Sequence, residues 1–266
     1  MSSIARTHPL PSAWLHKPIR IALVGCGGTG SQVAVRLPAL CKSIRALGHP
    51  HGLHVTIYDP DTVADHNTLR QNFFASDIGL NKATITVNRL NIAHDLDWVA
   101  KPTLFDNIDD FPSFDIVIGC VDTKGARRTI AQAVMNARDS LYWIDAGNEA
   151  HSGQVVIGQN RAWRGSDEPP LPMPHLLFPE LVEGTEDTRP SCSARDSLMR
   201  QGMATNLMAS TLIVSWLSEA LQHGVVSWHG GFFNLKTGNV VPLKIDPRHW
   251  PERANEDASE SANAAA

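Results

Sequence analysis

A short apolar run, Ile19–Val24, leads straight into Gly25-Cys26-Gly27-Gly28-Thr29-Gly30, and residues 31–47 then carry a helical pattern with an interruption near Pro38. Gly25, Gly27 and Gly30 keep the G-x-G-x-x-G spacing: the first glycine allows a tight bend, the second lets backbone approach a phosphate, and the third lets helix pack on strand. A strand that bends this sharply into a helix commits the chain to a crossover unit, in which the next strand returns parallel to the first. A phosphate at such a turn meets free backbone N–H groups at the positive end of the helix.

The rest of the chain agrees with that start. Residues 54–58 form a second apolar run, set off by the loop Gly48-His49-Pro50-His51-Gly52, and deliver Asp59 at its end. Residues 81–96 read as helix and 98–100 as the beginning of a strand; 114–121 is a nearly continuous apolar run, as in a parallel strand covered on both faces. A helix over 126–137 and strands over 141–144 and 153–158 follow. This alternation predicts an α/β fold, a Rossmann-like, doubly wound, mostly parallel sheet.

After Arg161 the character changes. Pro169, Pro170, Pro172, Pro174 and Pro179 mark an irregular crossover segment over about 161–200, longer than a simple connector and of the kind that often carries function. A second long helix, buried, is expected over 203–221. Residues 228–235 and 239–245, joined through Lys236-Thr237-Gly238, predict a C-terminal β-hairpin extension. Residues 1–251 are expected to form a single domain, and 252–266, composed largely of Ala, Ser, Glu and Asn, a disordered tail.

The polar residues after the glycine turn are more informative than the turn itself. Asp59, at the carboxyl end of the second strand, can accept hydrogen bonds from both hydroxyls of an adenosine ribose, a role that ATP and NAD share. Asp61, Asn67 and Gln71 lie close behind it, and Arg70 and Lys82 supply two cations. A triphosphate needs such charges to neutralise its outer phosphates and the departing pyrophosphate, whereas a dehydrogenase does not. Asp122 falls just past the buried run at 114–121, where a carboxylate can hold Mg²⁺ against phosphate oxygens or cap the following helix, a part that Thr123 could also take. Together these residues point to ATP-driven activation of a carboxylate.

Composition sets the outer bounds. At 266 residues and 42% hydrophobic content the chain can bury a core without staples. A net charge of −4 and no basic stripe argue against nucleic acid as a partner. Cys26, Cys41, Cys120 and Cys192 show no paired spacing, so neither a disulfide framework nor a zinc site is expected. No apolar run approaches the roughly 20 residues that span a bilayer, so a cytoplasmic protein with no membrane partner is expected.

The glycine turn, the D-x-D-x-V-x-x-x-N run from Asp59 to Asn67, the Arg70-Gln71 pair, Asp77-Ile78-Gly79-Leu80-Asn81-Lys82 and Cys120-Val121-Asp122 resemble, in order, the ThiF/MoeB superfamily of E1-like, ubiquitin-activating-type enzymes. The resemblance covers residues 19–221. Gly230-Gly231-Phe232-Phe233-Asn234-Leu235 and the compact length are most similar to the ThiF family protein of the PRTRC system.

The resemblance implies an adenylyltransferase that uses MgATP to activate the C-terminal carboxylate of a ubiquitin-like or sulfur-carrier protein. Asp59 would bind ribose, Asn67, Arg70, Gln71 and Lys82 would contact phosphates, and Asp122 would serve the metal. Cys192 stands where some relatives carry a cysteine that receives the acyl group; Arg189 or Arg195 could lower its pKa. Cys26 and Cys120 are poorer candidates for that role. A homodimer is the family expectation, with Arg6 a substitute for the arginine that completes a neighbour's site, and a conjugating-enzyme-like protein is a further partner. The zinc-binding cysteine pairs of many relatives are missing. That absence leaves open a non-catalytic adaptor, and the glycine turn alone also permits an NAD-dependent oxidoreductase.

Overall fold

A computed structural model describes residues 6–106, 114–166, 168–185 and 202–251. After a two-residue strand β1 (His8–Pro9), the chain builds β2 (Ile19–Val24), α1 (Gly28–Ala34), α2 (Leu37–Ala46), β3 (Leu53–Tyr58), α3 (Lys82–His94), β4 (Val99–Lys101), β5 (Ile116–Gly119) and α4 (Lys124–Asn136). It continues through β6 (Tyr142–Asn148), β7 (Ser152–Gln159), α5 (Pro174–Leu177), α6 (Met203–His223), β8 (Val225–Val226), β9 (Trp228–Asn234) and β10 (Asn239–Lys244). The main sheet has eight strands in the order β10-β9-β7-β6-β5-β2-β3-β4. β4, β3, β2, β5 and β6 run parallel, and β7, β9 and β10 add an antiparallel flank. This is the mixed α/β, Rossmann-like sheet with C-terminal antiparallel strands that the sequence predicts.

Why these strands sit in the middle follows from their composition. β5 is buried at every position and β2 at all but Arg20. Alternate residues of β2 feed two cores: Ile19, Ile21 and Leu23 face α2, α3 and α6 through Leu37, Val87, Ile213 and Trp216, whereas Ala22 and Val24 face α4 through Ile130 and Val134. The sheet is therefore covered on both sides, which the parallel arrangement requires.

Three local expectations differ in extent. The first helix is two: α1 ends at Ala34 and α2 starts at Leu37, so the break precedes Pro38, which occupies the first turn of α2 where its missing N–H costs nothing. The strand expected over 114–121 runs only from Ile116 to Gly119. β6 runs four residues past 144 because Asp145, Ala146, Gly147 and Asn148 pair with β7 in an antiparallel hairpin.

Candidate functional site

The chain leaves β2 toward β3 and β4 on one side, then returns to lay β5 on β2's other edge and β6 beyond it. This reversal opens a crevice at the carboxyl ends of β2 and β5, the place where ligands collect in open α/β sheets. A cleft of about 680 Å³ lies there. Gly25, Gly27, Gly28, Asp59, Asp61, Asn67, Arg70, Gln71, Lys82 and Asp122 all line it, although up to 97 positions separate them in the sequence (122 − 25). Gly30 does not line the cleft. It packs behind the turn, where a Cβ would overlap the Gly25 carbonyl, and Gly25 itself has φ 89° beneath the Cys120 carbonyl.

Asp59 is 5% exposed and rigidly held: Cys26 N–H donates to its Oδ2 at 2.6 Å and Asp61 N–H to its Oδ1 at 2.9 Å. Burial raises its pKa, against the opposing pull of those N–H donors and of the Lys82 charge. Each oxygen retains a second lone pair for a ligand hydroxyl.

Residues 59–82 fold back on themselves to bring Lys82 to the same place. Lys82 N–H donates to Asp61 O, Val63 and Leu80 are hydrogen-bonded, and Asn81 donates to Asp59 O and Asp61 O while its Oδ1 caps α3 at Thr84 N–H. Lys82 is thus the first residue of α3, buried, with its ammonium 2.9 Å from Asp61 Oδ2. Asp77, also buried, braces the loop: both its oxygens accept from Arg89 Nη2, at 2.8 and 2.7 Å, and Oδ2 accepts Phe74 N–H. Burial alone would raise the Asp77 pKa, but Phe74 N–H and Arg89 together hold it below the ordinary value.

Asn67 is buried, its Oδ1 closing a one-turn loop by accepting Ala64 N–H at 2.8 Å. Gln71 beside it is 8% exposed, and its Oε1 has no hydrogen-bond partner. Burial lowers the Arg70 pKa, with the Asp122 charge opposing. Asp122 is exposed, and the capping role falls to Thr123, whose Oγ1 accepts Ala126 N–H. The carboxylate of Asp122 is therefore left facing the cleft rather than spent on α4.

Several cleft features carry no signal in the sequence reading. Thr103, Leu104, Phe105 and Asp106 form one wall, with Phe105 edge-on to Tyr58 at 5.2 Å. Asn148, at the end of β6, donates to Asn206 Oδ1 in the first turn of α6, and Thr29 Oγ1 donates to the same oxygen at 3.3 Å. The signal for Asn206 is slight: it is the one amide in the apolar first half of α6, and a buried amide must find partners. Deeper still, Arg127 pairs with the fully buried Asp145 at 3.1 Å, and burial raises the Asp145 pKa against the Arg127 charge.

Of the cysteines, Cys120 lines the crevice, while Cys26, within the glycine turn, is fully buried in the core with its Sγ 3.3 Å from Thr86 Oγ1. Burial pushes the Cys26 thiol up to about 12 and Cys120 higher still above its ordinary value. Cys41 is buried between α2 and β3, where its Sγ accepts Leu53 N–H. Cys192, Arg189 and Arg195 lie outside the described residues. Arg6 is exposed at the N-terminal end of the described chain. Among the described residues no group of three or more His, Cys, Asp or Glu could hold a metal ion, and no helix is long and apolar enough to cross a membrane.

The ThiF family model matches residues 15–246. Among solved structures, the chain is similar to PaaA, at 14% identity and a TM-score of 0.55, and to E. coli MccB crystallised with AMPCPP and MccA, at 14% identity and 0.56. Microcin C7 biosynthetic enzyme MccB in complex with N-formylated MccA is similar at 16% identity and 0.56. Each alignment covers 85% of this chain but only 64% of the matched one, so this chain spans about two thirds of the length of these proteins. At such identities the likeness is one of fold. No curated protein matches in sequence.

Proposed function

The chain belongs to the ThiF family, and from that premise we propose that it adenylates the C-terminal carboxylate of a peptide or carrier protein with ATP. The observation that carries the reading is the convergence of Asp59, Asn67, Arg70, Gln71, Lys82 and Asp122 on one cleft at the carboxyl edge of the sheet. A carboxylate oxygen of the carrier attacks the α-phosphorus, the bond to the β-phosphate breaks, and pyrophosphate leaves. Nothing in this step needs a protein nucleophile. The residues position the reactants and neutralise charge: Asp59 takes the ribose hydroxyls, Arg70 and Lys82 the developing negative charge of the leaving pyrophosphate, and Asn67 and Gln71 the phosphate chain.

The fit to a nucleotide rests on the chemistry of the lining: Arg70 and Lys82 bring two cations to a cleft whose fixed carboxylate, Asp59, is held by backbone N–H groups and keeps lone pairs for ribose hydroxyls. Mg²⁺ keeps most of its shell as water and phosphate oxygen and needs one or two protein carboxylates, so Asp122 is sufficient to hold it. Bound there, the ion would offset phosphate charge.

Support for a peptide or protein as acyl donor comes from the MccB structures, which are complexes with MccA. A ubiquitin-like carrier and membership of the PRTRC group are the narrower readings, the latter supported by residues 230–235, all but Leu235 of which lie in β9. A homodimer in which Arg6 reaches a neighbouring cleft, an acyl transfer to Cys192, and residence in the cytoplasm complete the proposal. Carrier-dependent exchange of labelled pyrophosphate into ATP tests it. Absence of exchange with the carrier that the protein captures would remove the adenylation reading, and tight NAD binding without ATP binding would replace it with an oxidoreductase.

A further inference from the structure

Asn206 is completely buried, and its two amide ends are in opposite circumstances. Oδ1 accepts from Thr29 Oγ1 and from Asn148 Nδ2, which ties α1, the end of β6 and α6 together. Nδ2 has no hydrogen-bond partner. It lies against Gly28: a Cβ at that position would be 2.5 Å from Asn206 Nδ2 and 2.7 Å from Arg70 Nη1. An amide NH₂ and a guanidinium, neither of which can accept a hydrogen bond, thus crowd the same small space beside the glycine turn. With Asn148 placed to donate, turning the Asn206 amide over would set its Nδ2 against Asn148 Nδ2, donor against donor. A buried donor without an acceptor is costly, and such a group persists where a ligand brings the acceptor.

We propose that Asn206 is a phosphate-binding residue, its Nδ2 donating to an anionic oxygen of the nucleotide that enters over Gly28 and is shared with Arg70. The proposal rests on the adenylating reading and extends it to a residue 177 positions from the glycine turn (206 − 29), on the helix that follows the crossover segment. It also accounts for Gly28. Any side chain there would fill the space the oxygen needs. On binding, the Arg70 guanidinium shifts to make room, and Oδ1, held by Thr29 and Asn148, keeps the donor aimed.

The test is calorimetric titration of the full chain with ATP and, separately, with adenosine, for the unaltered protein, Asn206→Ala and Asn206→Asp. The proposal expects ATP affinity to fall roughly tenfold or more in both variants, the loss expected for a hydrogen bond to a charged group. Adenosine affinity stays the same in both variants, which shows that the cleft is intact. Full ATP affinity in Asn206→Asp would overturn the inference, since it would mean that the atom facing Arg70 is an acceptor. An equal loss for ATP and adenosine would also overturn it, leaving Asn206 a structural tie. Failure of the unaltered protein to bind ATP would remove the adenylation reading together with this one.

Discussion

Lys82 donates to Asp61 at 2.9 Å rather than to the buried Asp59 on the same turn. The side chain of Asp61 is 66% exposed, so the pair is screened and contributes at most about 1 kcal/mol to folding. Its effect is to park the ammonium at the mouth of the cleft, from which an incoming phosphate can take it at small cost. Lys82→Met is expected to leave the thermal midpoint within a few degrees and to slow pyrophosphate exchange by roughly a hundredfold or more, the usual loss when one charge-stabilising group is removed. Asp61→Asn should change exchange by only a few-fold. Exchange at the unaltered rate in Lys82→Met would show that the cation is not used.

Gly30 and Gly25 test the turn itself. A methyl group at residue 30 would overlap the Gly25 carbonyl, a backbone atom that cannot rotate away, so Gly30→Ala must push α1 off β2. The expected destabilisation is about 1–3 kcal/mol or more, as for other overpacked interiors. Chemical denaturation measures it, and an unchanged midpoint would show that the turn yields more easily than its packing implies.

Arg89 and Asp77 brace the loop that carries Lys82. Because the Asp77 side chain is only 3% exposed, Arg89→Ala strands a buried carboxylate and should cost about 3–5 kcal/mol. The paired change Arg89→Met with Asp77→Leu removes both charges and should recover part of that loss. A double-mutant cycle in urea separates the two outcomes.

Two histidines make stability depend on pH. His8, bonded to the Tyr142 hydroxyl at 2.8 Å, and His229, bonded to Ile157 O, are buried, and burial depresses both to about 4; the His229 charge contributes further at His8. A depressed histidine binds its proton more readily when unfolded, so stability is full above about pH 6.5 and falls as pH drops toward 4. The slope should approach 1.4 kcal/mol per pH unit for each histidine within that window. Urea unfolding at pH 7, 6 and 5 checks it, and His8→Gln, which can still bond Tyr142, should flatten the slope. A flat profile in the unaltered protein would mean that neither ring is buried neutral.

Part of the cleft could be read from the sequence because five of its polar residues come from one contiguous stretch. Asp59, Asn67, Arg70, Gln71 and Lys82 span two dozen positions, and short turns between them leave few ways to point elsewhere. What could not be read depends on pairing between distant segments. Asp145, Gly147 and Asn148 are poor strand formers, and only the hairpin with β7 extends β6 far enough to carry Asn148 to the rim. Asn206 reaches the turn only once α6 packs against α1, a contact no local pattern encodes. The break in the first helix shows the reverse case. Proline marks a helix start as readily as a helix end, and position 38 is a start.

The thiols of Cys26, in the glycine turn, and Cys120, at the cleft, bear on the fate of the proposed acyl-adenylate. Sulfur attacks acyl phosphates as thiolate, and burial pushes the Cys26 thiol up to about 12, so that it stays protonated at neutral pH. Cys120, displaced further, is less reactive still. On the proposed reading, the one cysteine that borders the cleft, among the described residues, is sulfur too inert to consume an acyl-adenylate, which would persist until another acceptor took it.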